Sequence, residues 1–283
     1  MWARSTSTPS PSELRVLSKC PNERHTPGNK GTSDIADPHR CAKPKYARTL
    51  APRHVSEKST APRGIIVFDL DGTLVDDMRE IGDTAAQVMH EAFGTPLAEA
   101  HAMYYASTGM PFERQLLELY PDNSREQIHR VALHFHEIKI TEAYSKVHLF
   151  PEVPLLLKDL VRAGWTLVVA TGAEREMATL VLEREGVAFL FDDVMGAGQG
   201  TKDVHVTEYR HRWPGIPFVL VGDSRFDMEI AKRFPGMIIV GRACRLPGWI
   251  MTPQDMTKLG AAWADYSLEE LPKVLDRLSP REG

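Results

Sequence analysis

The first ordered pattern in this chain begins at Ile65-Ile66-Val67-Phe68, four apolar residues of which three are β-branched. A short continuous apolar run of this kind is the signature of an interior strand of a parallel sheet, and Gly72 marks a sharp reversal just beyond it. Residues 78–93 follow with Ile81, Ala85, Val88, Met89 and Ala92 at helical spacing, and Gly94 ends that helix. From there to residue 150 the pattern stays helical, with pieces over 97–107, 111–120 and 124–146 punctuated by Pro111 and Pro121. Met103, Phe112, Leu116, Leu117, Val131, Leu133 and Ile138 are the apolar residues available for a separate small core in this segment.

Beyond Pro151 the texture changes to alternating helices and apolar strands. Helices are expected at 152–163, 174–185, 203–212, 226–234 and 268–278, and strands at 165–170, 193–195, 218–221 and 237–240. This alternation predicts an α/β fold with a parallel sheet covered on both faces. The expected organisation is a disordered basic leader at 1–63, an α/β body formed by 64–77 and 151–283, and a helical insertion at 78–150.

Composition sharpens that division. Residues 1–63 carry 12 Lys and Arg against 5 Asp and Glu, which leaves the remainder at −11 within a total of −4. Ser, Thr and Pro dominate positions 5–12, and no helical or strand period appears before residue 64. The bias resembles an organellar transit peptide but lacks an amphipathic helix, and no secretory apolar core is present. A body this acidic argues against nucleic acid as a partner, and no apolar run approaches a membrane span. Cys20, Cys41 and Cys244 have neither metal-ligand nor disulfide-framework spacing, which favours a reducing, cytoplasmic setting. The pattern does not specify an oligomeric state.

Candidate chemistry gathers where strands end. Asp69 and Asp71 follow the first strand, Thr171 and Gly172 the second, and Gly222-Asp223-Ser224 with Asp227 the strand at 218–221, while Lys202 opens a helix between them. Residues two apart on an extended segment face the same side, so Asp69 and Asp71 can address one reacting group, one attacking and the other moving a proton. As an isolated Asp-x-Asp they would more often be a solvated turn that caps a helix. Asp223 and Asp227 add carboxylate oxygens that suit a hard cation such as Mg²⁺, although each is also at home at a helix N-terminus. Thr171 and the backbone N–H groups after it favour a phosphate oxygen. Lys202 would balance the anionic cluster.

Asp69-Leu70-Asp71-Gly72-Thr73, Thr171, Lys202 and Gly222-Asp223-Ser224-x-x-Asp227 together resemble the four ordered motifs of the haloacid dehalogenase-like hydrolase superfamily, over residues 64 to about 278. The all-helical insertion resembles the C1-type cap of phosphoglycolate phosphatase and β-phosphoglucomutase relatives. This resemblance implies a Rossmann-like core and a phosphoryl-enzyme mechanism. It assigns Asp69 as nucleophile and Mg²⁺ ligand, and Asp71 as general acid and base with its backbone carbonyl on the metal. Thr171 and Lys202 would hold the phosphoryl oxygens, Asp223 would complete the metal site, and Asp227 would support it. A carboxylate at position 71 favours phosphate esters over haloacids. The order Gly200-Thr201-Lys202-Asp203 departs from the Gly-Lys-Pro usual in such relatives.

In the insertion, Thr108-Gly109-Met110-Pro111 resembles the loop that faces the active site in those relatives, and Arg114 stands one turn on. Thr108, Gly109, Arg114 and Gly172 are the candidate substrate contacts. The expected activity is a Mg²⁺-dependent phosphatase of a small phosphorylated metabolite. A phosphomutase is the nearest enzymatic alternative, and a non-catalytic phosphate-binding protein the alternative from another class.

Overall fold

The computed structural model describes residues 62–249 and 251–279. The leader assigned to 1–63 lies outside these residues except at its end, where the folded body begins earlier than expected. The Arg63 guanidinium donates to Asp276 Oδ1 at 2.6 Å and to the Ser279 carbonyl at 2.6 Å, and it stacks 4.9 Å from the Trp165 ring centroid. Arg63 is therefore the first anchor of the body, tying the start of the sheet to the last helix.

Six parallel strands build the sheet: β1 (Gly64–Phe68), β2 (Trp165–Ala170), β3 (Asp193–Met195), β4 (Phe218–Gly222), β5 (Ile238–Arg242) and β6 (Trp263–Asp265), in the order β3-β2-β1-β4-β5-β6. The α/β, Rossmann-like expectation is met. Side chains of successive strand residues point to opposite faces, and two apolar clusters result. Ile66, Phe68, Leu167, Val169, Val219 and Val221 face one layer, while Ile65, Val67, Val168, Ala170, Phe218 and Leu220 face the other. On the first face lie α6 (Val153–Arg162), α7 (Arg175–Arg184) and α11 (Leu271–Leu278). On the second lie α8 (Lys202–Arg212), α9 (Arg225–Lys232) and α10 (Pro253–Lys258). Tyr209 of α8 is fully buried there, and its hydroxyl donates to the Val169 carbonyl at 2.8 Å, so a polar atom enters the core with its partner supplied.

The chain leaves β1 and makes α1 (Met78–Phe93), α2 (Leu97–Ala106), α3 (Phe112–Leu119), α4 (Arg125–Ile138) and the short α5 (Tyr144–Lys146) before returning to α6. Ser124 caps α4 by accepting the Gln127 N–H at 3.2 Å, and Gly94 closes α1 at φ 73°. Residues 124–146, expected as one helix, are broken by a π-helical turn at Lys139–Ala143.

The segment's core also differs from the expected one. Leu116 is fully buried, but Leu117 and Leu133 are 37% and 56% exposed, and Met103, Phe112, Val131 and Ile138 are only partly covered. The buried positions are instead Tyr104, Tyr105, Ile128, Phe135 and Tyr144, with Phe112 and Phe135 ring centroids 4.0 Å apart. These residues are continuous with the cluster on the first sheet face, so the helices share that core instead of closing a separate one. Large aromatic rings reach the common core from short helices, whereas Leu117 and Leu133 lie on the outer helical faces.

At the far edge, α10 and β6 were not foreseen. Trp263-Ala264-Asp265 is a three-residue edge strand. Strand β5 continues past the expected residue 240 to Arg242, and α11 begins at Leu271 instead of residue 268. Among the described residues no helix is long and apolar enough to cross a membrane.

Candidate active site

β1 lies between β2 and β4, so the connections leave the sheet in opposite directions on either side of it. In such a sheet the crevice beyond the carboxyl ends of these strands is where ligands bind. The register aligns Phe68 with Val169 and Val221, which sets Asp69, Thr171 and Asp223 at one rim. The three strand-end groups read from the sequence are thus brought into one place.

Asp69 is 6% exposed, and its Oδ1 accepts the Leu70 N–H at 2.8 Å and lies 3.0 Å from Lys202 Nζ. Lys202 enters from the first residue of α8 and also donates to Asp227 Oδ1 at 2.6 Å. The Gly-Thr-Lys-Asp departure in this stretch therefore leaves the lysine where the motif order implied. Asp227, in the first turn of α9, accepts from the Ser224 hydroxyl at 2.6 Å and the Ser224 N–H at 3.1 Å, which fixes the loop after β4. Thr171 is buried, and its hydroxyl accepts the Ala173 N–H at 3.0 Å. A Cβ added to Gly172 would meet no heavy atom within 4 Å, so this backbone borders open space.

Carboxylate oxygens of Asp69, Asp223 and Asp227 lie within 4.8 Å of one another. Burial pushes the Asp69 carboxyl up to about 7 against the opposing pull of Lys202, and Asp227 and Asp71 add repulsion. Burial, then repulsion from Asp69 and Asp227, raises Asp223 well above the usual carboxylate range. Lys202 is held above its ordinary value because Asp227 and Asp69 outweigh a burial that opposes its charge. One ammonium does not neutralise three crowded carboxylates. Asp223 Oδ2 is buried without a hydrogen-bond partner among the described residues, which leaves it available to a cation. This all-oxygen donor set fits a hard divalent cation.

The turn that holds these groups is tightly specified. Gly72 has φ 71°, and a Cβ there would overlap Asp223 Oδ2. The Gly72 N–H donates to Asp77 Oδ1 at 3.0 Å, while the N–H groups of Leu74 and Val75 return to the Leu70 carbonyl at 2.9 and 3.1 Å. Asp77 stands at the start of α1 but makes no side-chain cap, so its carboxyl serves the Asp71–Gly72 turn and not the helix. Burial and the neighbouring Asp71 push that carboxyl well above its usual range.

Asp71 turns away from the three-carboxylate cluster towards the helical segment. Lys139 Nζ donates to its Oδ2 at 2.7 Å, and the Tyr144 hydroxyl lies 2.8 Å from Oδ1 and 3.0 Å from Oδ2. Burial alone would raise the Asp71 carboxyl; Lys139, with hydrogen bonds from Asp77, Lys139 and Tyr144, outweighs it and holds the group below its ordinary value.

Lys139 and Tyr144 were missed as site residues. Residues five apart do not share a face of an α-helix, and nothing in the apolar pattern marks the π turn that aligns them. Arg114, by contrast, is not brought to the carboxylates. Its side chain is 64% exposed and pairs with Glu118 at 3.2 Å, as an outward-facing i,i+4 pair does. The cation that reaches the site from the helices is Lys139.

Gly109 does approach the site. A Cβ there would stand 2.5 Å from Ser224 Oγ, and its φ is 97°. The Thr108 hydroxyl instead donates back to the Tyr104 carbonyl at 3.1 Å, which holds this turn onto α2. A small cleft lined by His136, Lys139, Ile140, Tyr144, Ala173, Glu174 and Met177 retains about 10 Å³ of free space, on the order of one water molecule.

Comparison with known proteins bears on these residues. The family model of haloacid dehalogenase-like hydrolases matches residues 66–238. The phosphoglycolate phosphatase of Vibrio vulnificus is 28% identical over 224 residues, covering 75% of this chain and 94% of that protein. That of Vibrio cholerae is 28% identical over 179 residues, covering 59% and 79%. A hydrolase from Pseudomonas syringae has the same fold, with a TM-score of 0.62 and 21% identity over 76% of this chain and 99% of that one.

Proposed function

The chain belongs to the haloacid dehalogenase-like hydrolases, and from that premise we propose that it is a Mg²⁺-dependent phosphatase acting on a small phosphorylated metabolite of the phosphoglycolate kind. The observation that carries this reading is the convergence of Asp69, Lys202, Asp223 and Asp227 at the crevice beside β1. The substrate class is supported by the phosphoglycolate phosphatases similar to this chain.

In the proposed reaction Asp69 attacks phosphorus while Asp71 gives a proton to the departing oxygen, and the phosphoryl group passes to the Asp69 carboxylate. Asp71 then takes a proton from the water that attacks this aspartyl phosphate, which restores Asp69 and releases inorganic phosphate. Lys202 and the Thr171 hydroxyl hold the transferring oxygens, and Lys202 keeps Asp69 directed at phosphorus. Mg²⁺ held by Asp69, Asp223 and Asp227, with the Asp71 carbonyl, would supply positive charge against the phosphoryl oxygens. The helices of residues 78–150 act as a cap over the leaving group, and the Thr108-Gly109 turn closes onto Ser224.

Phosphate release from 2-phosphoglycolate tests this reading. The wild-type protein with Mg²⁺ is expected to turn over, and Asp69→Asn to lose about 10³-fold or more, since the covalent route needs the carboxylate. Release that survives Asp69→Asn or a chelator overturns the mechanism. Isomerisation of a hexose 1-phosphate without net phosphate release would replace it with the mutase.

A further inference from the structure

The helical segment reaches Asp71 through its one irregular turn among the described residues. Within Lys139–Ala143 the Tyr144 N–H donates to the Lys139 carbonyl, five residues back. An α-helix turns about 100° per residue, so residues five apart would point about 140° away from each other. The wider π turn returns the fifth residue nearly over the first. Lys139 Nζ accordingly lies 4.8 Å from the Tyr144 ring centroid, and both polar tips close on one carboxylate. Tyr144 is 3% exposed and the Lys139 side chain 12%, so the contact is not a loose surface pair.

Asp71 needs such support. It follows a strand, precedes a glycine, and directs its carboxylate out of the three-carboxylate cluster towards Lys139 and Tyr144, which line a narrow cleft. Three donor contacts from two side chains fix both of its oxygens. We propose that Lys139 and Tyr144, aligned by the π turn, are positioning residues that hold the Asp71 carboxylate on the leaving-group side of the cleft. This role rests on the phosphatase reading above. In that reaction the bond from phosphorus to the ester oxygen breaks as the bond to Asp69 forms. Asp71, ionised beside Lys139, passes to the departing oxygen the proton that the phosphate monoester brings as its monoanion, and it later takes one from the attacking water. Both transfers require Asp71 within hydrogen-bond reach of the oxygen concerned. Neither Lys139 nor Tyr144 forms or breaks a bond.

The test uses two esters that differ in their need for a proton. The alkoxide leaving from 2-phosphoglycolate must be protonated, whereas nitrophenolate leaves p-nitrophenyl phosphate unaided. Misplacing a general acid by about 1 Å costs on the order of 10²-fold. Lys139→Met is therefore expected to lower kcat on the alkyl ester about 100-fold, and Tyr144→Phe about 10-fold, with about threefold losses on the aryl ester. Tyr144→Phe removes only a hydroxyl, so it decides the question if Lys139→Met does not fold.

Parallel losses on both esters would reduce the pair to a structural contact and overturn the proposal. So would a loss confined to KM for 2-phosphoglycolate, which would make Lys139 a reader of the substrate carboxylate. If the wild type hydrolyses neither ester, the phosphatase reading fails and the positioning role falls with it. If it hydrolyses both and the variants keep the wild-type ratio of rates, only the positioning role falls.

Discussion

Removing the divalent cation should make the protein's stability depend on pH in an unusual direction. Without a cation, burial holds the Asp69 carboxyl up to about 7, against 3.8 in an exposed chain. Between those values the folded protein keeps a proton that the unfolded chain has released. Stability is then undiminished below about pH 4, falls as pH rises through the window, and levels off above about 7. At about 1.4 kcal/mol per unit, the full window corresponds to about 4 kcal/mol, of which about 3 lies above pH 5.

The carboxyls of Glu152, Glu185 and Asp203 are shifted downwards, so they lose their contribution only in more acidic solution. Urea denaturation in EDTA at about pH 5 and about pH 7.5 therefore reads the upward-shifted carboxyls of Asp69, Asp77 and Asp223 together, and Asp69→Asn removes the share that belongs to Asp69. The midpoint should be lower at the higher pH, Mg²⁺ should abolish or reverse the difference, and Asp69→Asn should reduce it. A midpoint in EDTA that is equal or higher at pH 7.5, or one whose slope Asp69→Asn leaves unchanged, would refute the electrostatic picture of an overcrowded cluster.

Two further substitutions probe how the site is held. Gly109→Ala should lower kcat/KM about tenfold or more, because its Cβ would stand 2.5 Å from Ser224 Oγ at a φ of 97° and must push the two loops apart; steady-state kinetics beside a thermal melt would separate this from global unfolding. Arg242→Met should cost about 3 kcal/mol in chemical denaturation, because it strips Glu152 of a 2.7 Å partner within a largely buried pair. Replacing Glu152 by Leu in the same chain should recover part of that loss.

The strand-end chemistry was legible because two independent signals coincided. Apolar runs such as Ile65–Phe68 and Phe218–Val221 predict interior strands, and Asp69 and Asp223 break those runs at the same topological end. Position along the sheet then did the grouping. Edge strand β6 escaped because its apolar stretch, Ala261-Ala262-Trp263-Ala264, holds no β-branched residue and is mostly alanine, which is a poor strand signal. The helical segment was visible as helices, yet its contribution to the site was not. Periodicity assumes a fixed turn angle, and a single π turn redirected Lys139 and Tyr144. Arg114 had the right charge and lay beside a suggestive loop, but it sits on the outward face of α3. Asp77 stands where a helix cap would, and only the fold reveals that its oxygen accepts from Gly72.

The path of the chain into and out of the helical segment has a consequence of its own. Val75 and Leu149 form an antiparallel bridge, the Asp76 N–H donates to the His148 carbonyl at 2.9 Å, and the Phe150 N–H donates to the Leu74 carbonyl at 3.0 Å. The two crossings are thus riveted side by side, and more than seventy residues leave and return through a doorway one backbone ladder wide. From the sheet's side, that excursion has no length. The exposed turns between the rivets can change in length while the distance between β1 and α6 stays constant, because loop closure grows only slowly with length. A sheet built this way fixes the seat of a tool holder, while whatever is mounted there must still cover the first sheet face and bring its own groups to Asp71.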